Sequence, residues 1–302
     1  MPSHEEIFSA NMIGAVPERA DEIRALWRKY KPAVIVKDAG RLTLDATKDR
    51  IEVDVKMIDV FWLLGFSGWH AIECYTPHVV ASALSGRTVA DLMGGDDGLA
   101  TVERDYKERL SAARAIIEGK GSVTALWPPD LPRPSDNRDA SDDVQYKAAF
   151  DLTASAVAFT LFHEFYHVIL DRDCMRPQDR REEELACDVW AREFMTVKLE
   201  AYARDKRLDY HQVLRRRSMA FALAALILHE ITPVWERGGN CDYFSVVTRM
   251  ETILDNTPLP DTDHFRNLAT ALLIGICRQQ HIAIDAPAMS ARALTVHLLQ
   301  RI

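Results

Sequence analysis

The stretch LFHEFYHVIL, residues 161–170, places two histidines four residues apart inside an apolar run, and it constrains the fold more than any other feature of the chain. A longer segment before it, AAFDLTASAVAFT, carries small residues that favour close helix packing. His163 and His167 lie one helical turn apart and project from the same face. Because an unpartnered buried polar group is costly, the pair requires a common partner. The stretch therefore predicts a buried helix built around a site.

The spacing of the two imidazoles suits a metal ion, since both can reach one ion at about 2.0–2.1 Å. Glu164 lies about 100° further around the helix, too offset to share the ion but close enough to take a proton from a water molecule there. This is the HExxH arrangement. It predicts that His163 and His167 bind Zn²⁺ and that Glu164 is the catalytic base. The alternative is a pair of core histidines satisfied by hydrogen bonds.

A catalytic zinc site needs a third protein ligand, and RREEELACDVWAREFM, residues 180–195, offers one. Glu184 follows the HExxH motif after 17 residues, which leaves room for a loop and a returning helix. Asp188 stands one turn later, within a stretch that looks buried. We predict that Glu184 binds the metal and that Asp188 orients His163 from outside the ligand set. Glu183 is the competing ligand, and a solvated, charged helix start is the alternative interpretation of the whole cluster.

A closed structural site is a further alternative. Cys174 and Cys187 flank the loop between the two motifs and, with the two histidines, could form a Cys₂His₂ shell. That arrangement leaves the carboxylates of both motifs unexplained.

A donor that stabilises a developing oxyanion is also expected beside a catalytic metal site. His229, Tyr243 and Tyr166 are the candidates, and no motif supports any of them. A buried or helix-end histidine is the simpler interpretation of His229.

The rest of the chain predicts an α+β fold that is mostly helical. Alternation in IEVDVK and its neighbours predicts a small antiparallel sheet between about 33 and 56. An aromatic-rich helical segment follows, with a break expected near Gly65 or Gly68. SVTALW, residues 122–127, is predicted as a strand beside the metal cleft that pairs with a peptide substrate. Helices are expected at about 18–30, 142–170, 209–231, 241–255, 263–280 and 289–300, and a further one from near 180 to beyond 195.

One domain over residues 1–302 is expected, with a possible N-terminal subdomain at 1–126 and a catalytic core at about 127–235. A net charge of −8 argues against a general nucleic-acid binder. The five cysteines are odd in number and scattered, which favours reduced thiols. With no apolar run long enough for a membrane span and no signal core, we expect no membrane association and a cytoplasmic location.

HEFYH followed by ELACDVWA resembles the gluzincin metallopeptidase pattern, HExxH then ExxxD. WPPDLPRP before the long helix, LFHEFYHV and EEELACD are similar to the phage-exclusion peptidases of the Lit type (peptidase U49), over residues 127–195. The resemblance implies a zincin-like fold whose active-site helix carries HExxH. It also implies a cytoplasmic zinc endopeptidase that acts on a host protein, with a translation elongation factor as a candidate substrate, in phage defence.

A second class of function stays open on the residues alone. It is a helical interaction or regulatory protein whose zinc is only structural. A metal site with a position left for water favours the enzyme, whereas a shell of four protein ligands favours the scaffold.

Overall fold

The computed structural model describes residues 3–38, 42–134 and 138–302. Thirteen α-helices lie in these ranges: α1 His4–Ala15, α2 Ala20–Tyr30, α3 Met57–Ser85, α4 Val89–Gly94, α5 Leu99–Ile117, α6 Val123–Leu126, α7 Val144–Arg172, α8 Arg180–Thr196, α9 Leu199–Lys206, α10 Tyr210–Ile231, α11 Val246–Asp255, α12 His264–Gln279 and α13 Ala291–Leu299. Three strands accompany them: β1 Ala33–Lys37, β2 Leu44–Thr47 and β3 Arg50–Asp54. Short 3₁₀ turns cover Pro17–Arg19, Arg138–Ala140 and Val234–Glu236. The α+β, mostly helical prediction is confirmed.

The sheet has the order β1-β3-β2, with β2 at one edge. The alternation in IEVDVK gives the predicted half-buried strand, since Ile51 and Val53 are buried while Glu52 between them pairs with Lys37 and Arg50. β2 and β3 are antiparallel, but β1 and β3 are parallel, so the prediction of a wholly antiparallel sheet is wrong for that pair. β2 and β3 form a tight hairpin, and its second strand is the one that lies beside β1.

Helix α7 lies at the centre of the fold, in contact with α1, α3, α8, α10 and strand β2. It begins where the Asp143 side chain accepts from the Gln145 backbone N–H at 2.9 Å. It ends near Cys174, which has a positive φ of 55°, and the Met175 N–H then closes back on the Leu170 carbonyl. This turn reverses the chain, so α8 runs back along α7 from its cap at Asp179.

Helix α3 is continuous, so the break expected near Gly65 or Gly68 is wrong. Both glycines instead permit close packing by other helices. A Cβ at Gly65 would stand 2.4 Å from Thr153 of α7, and one at Gly68 would stand 2.4 Å from Leu223 of α10. Gly65 therefore allows α3 to approach the helix that carries both histidines, and Gly68 allows it to approach α10.

SVTALW is not a strand. Its residues Val123–Leu126 form the short helix α6, capped by the Ser122 hydroxyl, which accepts from the Ala125 N–H at 3.2 Å. The β-branched residues favoured a strand, but the serine cap starts a helical turn instead. No SVTALW strand exists to pair with a peptide, and the prediction is wrong. Among the described helices, none has the length and apolarity to cross a bilayer.

Candidate metal centre

The two histidines of α7 point their Nε2 atoms at one another across a distance of 3.2 Å. Both rings are buried, with His163 5% and His167 4% exposed. Two neutral imidazoles can share at most one hydrogen between these two nitrogens. A metal ion bound by both nitrogens therefore suits this arrangement.

Helix α8 supplies a carboxylate to the far nitrogen of each ring. Asp188 lies 2.8 Å from Nδ1 of His163, and Glu183 lies 2.5 Å from Nδ1 of His167. A carboxylate at Nδ1 holds the hydrogen there and leaves Nε2 as an acceptor, which fixes the tautomer and the ring orientation. The Asp188 contact was predicted. Glu183 contacts the outer nitrogen of His167, a position that does not suit the competing ligand role.

The carboxylate of Glu184 faces both Nε2 atoms. Its Oε2 is 3.3 Å from Nε2 of His163, and its Oε1 is 3.6 Å from Nε2 of His167. Around a tetrahedral ion with bonds of about 2.0–2.1 Å, neighbouring ligand atoms stand roughly 3.3 Å apart. Two nitrogens and a carboxylate thus have the spacing that a zinc ion needs.

Cys187 also comes close to the pair, and the three residues His163, His167 and Cys187 form a buried group that could hold a metal. Its ligand atoms lie within 4.8 Å of one another. Burial and the surrounding carboxylates raise the pKa of the Cys187 thiol far above its usual range, which disfavours the thiolate that binds metals. Of the two groupings, the one with Glu184 fits a metal better. Cys174, on the exposed turn, is not part of the buried group.

Glu164 is buried and lines the same cavity as Glu184 and both histidines. Burial raises its pKa to about 7. A carboxylate with that pKa can both accept and return a proton near neutral pH.

Two arginines that the sequence did not single out hold the carboxylates of α8. Arg249 of α11 donates to Asp188 and stands 3.2 Å from Oε2 of Glu184. Arg176, in the turn before α8, stands 2.9 Å from Glu183. A signal for Arg249 did exist, since it shares a helix face with the apolar residues of VVTRMETILD that are buried in α11.

These neighbouring charges shift the pKa values of Glu184 and His163 in the direction opposite to the effect of burial. Burial alone would raise the pKa of Glu184, but His163 and Arg249 lower it to about 2. Burial alone would lower the pKa of His163, but Asp188 raises it to about 10. Glu184 is therefore an ionised acceptor, and cation binding would release a proton from His163.

The cavity in front of these residues measures about 260 Å³. The site histidines and carboxylates line it. An apolar wall follows, contributed by α3, α7, α10 and α11 through Met57, Phe61, Phe159, Ile227, Ile231 and Ile253. Leu44 and Asp45 of the edge strand β2 line another side. A polar centre with an apolar wall is the usual composition of a binding cleft.

The three candidate oxyanion donors fall in different places. Tyr243 lines the cavity and is 38% exposed, with the Arg180 guanidinium 5.3 Å from its ring centre. His229 does not line the cavity. Its Nε2 instead accepts a hydrogen bond from the Gln280 side-chain amide at 3.1 Å. Tyr166 stacks on Trp190 at 4.6 Å and does not line the cavity either. The expectations for His229 and Tyr166 are not supported by their positions.

The fold and the site together define a mostly helical α+β protein with a buried histidine and carboxylate centre at the end of a cleft. A family model described as Peptidase U49 matches residues 51–269, more than two thirds of the chain, including both motif helices. The chain belongs to the Peptidase U49 family, and this membership supports a protease. No curated protein and no solved structure matches it.

Proposed function

We propose that this protein is a zinc-dependent endopeptidase. The observation that carries the proposal is the convergence of both Nε2 atoms on the Glu184 carboxylate, with Glu164 facing the same cavity. His163, His167 and Glu184 would hold the ion. Three protein ligands leave one position for water, which is the composition of a catalytic zinc site.

When bound, a zinc ion would polarise a water molecule and the carbonyl of the scissile peptide. Glu164 accepts the proton of that water and later delivers it to the leaving amine, a role for which its pKa of about 7 is suited. Tyr243 is the candidate donor to the carbonyl oxygen, because its side chain lines the cavity. Asp188 and Glu183 keep both imidazoles in the tautomer that presents Nε2.

Strand β2 is the element to which we assign the substrate backbone, in place of SVTALW. It pairs with β3 on one side only and is an edge of the described sheet, and Leu44 and Asp45 line the cavity. An extended peptide can pair with such an edge by main-chain hydrogen bonds. The apolar wall opposite would receive an apolar side chain next to the cleaved bond.

The partner is proposed to be an intact protein in the cytoplasm. The resemblance to phage-exclusion peptidases supports a translation elongation factor as its substrate and a role in phage defence. Nucleic acid and membranes are not expected partners, given the net charge of −8.

A structural metal site is the second candidate function, and the position of Cys187 favours it. If the thiol completed the shell, four protein ligands would leave no place for water, and the protein would act as a regulatory or interaction module. Replacing Cys187 with serine separates the two cases. Unchanged zinc content supports the open site, whereas a loss of zinc supports the closed one.

The enzyme proposal is tested by incubating the purified protein with cytoplasmic lysate, with and without a zinc chelator, and sequencing new N-termini by mass spectrometry. We expect a small set of chelator-sensitive cleavages with an apolar residue beside the cut. Cleavages that persist in chelator and in Glu164→Gln would contradict the proposal.

A further inference from the structure

We propose that Arg249 is a positioning residue for the metal centre, which holds Glu184 and Asp188 in the orientation that metal binding requires. The inference rests on the proposed ligand set. Its readout is metal affinity, so it can fail or succeed independently of peptide cleavage.

The guanidinium of Arg249 contacts both carboxylates at once. Its Nε donates to Oδ2 of Asp188 at 2.9 Å and its Nη2 donates to Oδ1 at 2.9 Å, a two-point contact. Its Nη1 stands 3.2 Å from Oε2 of Glu184. Because the guanidinium is planar and rigid, its two hydrogen bonds to Asp188 and its ion pair with Glu184 define where both carboxylates lie relative to one another.

Those two carboxylates connect Arg249 to both ends of the site. Oδ1 of Asp188 also contacts Nδ1 of His163, and Oε2 of Glu184 also lies near Nε2 of the same ring. Arg249 therefore positions Glu184, a proposed ligand, and Asp188, which orients the ligand His163. It acts through Glu184 and Asp188, since no described contact joins it to the imidazoles.

Burial makes this contact important. The side chains of Glu184 and Asp188 are 6% and 3% exposed, and that of Arg249 is 12% exposed. The two like charges lie one helical turn apart in a buried position, where they repel one another. Arg249 compensates both charges and donates to both oxygens of Asp188.

A cation beside the site has a second effect of opposite sign. Its charge repels Zn²⁺, so removing it would strengthen metal binding if charge alone mattered. Loss of orientation would weaken binding instead, by about 10–100-fold as for other outer partners of metal ligands. The direction of the change therefore distinguishes a positioning role from a mere nearby charge.

The test compares Arg249→Lys and Arg249→Met with the parent chain, using zinc affinity from competition with a chromophoric chelator. Lysine keeps the charge but lacks the planar guanidinium, and methionine lacks both. Both variants are therefore expected to bind zinc about 10–100-fold more weakly. The visible spectrum of the Co²⁺-loaded protein should also change in both, because it reports coordination geometry rather than stability.

Arg192→Met is the matched control. Arg192 of α8 contacts the Thr252 carbonyl of α11 at 3.5 Å, so it joins the same two helices without contacting either site carboxylate. Its zinc affinity and Co²⁺ spectrum should stay unchanged. Parent-like zinc affinity in Arg249→Lys, or unchanged or tighter binding in Arg249→Met, would overturn the proposal. If Arg249→Met does not fold, the lysine variant decides alone.

Discussion

Individual residues of the centre were predictable to the extent that they lie on one helix face. The spacing of His163 and His167 and the position of Asp188 one turn after Glu184 are periodic features, and the structure brings these groups together. The helix face of Arg249 predicts its burial, but its contact with Asp188 could not be predicted, because the two residues are 61 positions apart and no local pattern specifies that contact. The placement of Glu183 depends on the rotation of α8, which sequence alone does not give.

The carboxylates behind the histidines lead to a prediction at this scale. Asp188→Asn and Glu183→Gln keep the size of each side chain but remove its charge, so each imidazole becomes a poorer ligand. Zinc affinity should fall by about 10–100-fold in each variant, measured by chelator competition.

Glu182→Gln is the control, since Glu182 is exposed on the same helical turn. If Asp188→Asn loses zinc as completely as His163→Ala does, Asp188 is itself a ligand and the assignment of Glu184 is wrong.

Among the elements, the long helices were predicted well because their ends carry capping residues. Asp143 caps α7 and Asp179 caps α8, close to the expected starts. The sheet was harder, because the two-residue turn between β2 and β3 indicates a hairpin but not which strand lies beside β1. Short segments such as SVTALW carry too few residues for periodicity to separate a strand from one helical turn.

The crossing of α3 and α7 leads to a prediction about packing. Gly65→Ala should destabilise the protein by about 1–3 kcal/mol, because the new Cβ would meet Thr153 and shift the helix that carries the histidines. Rotation of the Thr153 side chain does not relieve the contact, since its own Cβ stands 2.9 Å away. The measurement is the free energy of unfolding in denaturant.

Gly14→Ala is the matched change, also within a helix but with no atom within 4 Å of the new Cβ. Alanine is the better helix former there, so stability should stay equal or rise by about 0.5–1 kcal/mol. Equal effects at the two positions would contradict the proposed close contact.

Over the whole molecule, the proposed centre joins α7 to α8. The family match does not include all of the elements that surround this centre. Strands β1 and β2 lie before residue 51, where the match begins, although β2 lines the cavity. The division into one domain with a catalytic core at 127–235 stays a prediction. The residues of the cavity come from both sides of position 127, so the site depends on the N-terminal part as well.

Metal removal should therefore lower global stability. With free zinc at 100 times Kd, binding adds about 2.7 kcal/mol to the free energy of unfolding, and chelation should lower Tm by several degrees. Thermal unfolding with and without chelator measures the shift. Glu164→Gln should show the same chelator-induced shift of Tm as the parent, and Glu184→Ala should lose most of that shift. A Tm insensitive to chelator in the zinc-loaded parent would argue against an ion joining the two helices.

We propose that Glu164 is a base and Glu184 a ligand, and zinc per chain measured together with cleavage distinguishes these two roles. Glu164→Gln should keep full zinc and lose cleavage of a substrate from the lysate screen by at least ~10²–10⁴-fold, because glutamine accepts no proton. Glu184→Ala should lose zinc first and activity as a consequence. Unimpaired cleavage by zinc-loaded Glu164→Gln, or full zinc occupancy in Glu184→Ala, would contradict these assignments.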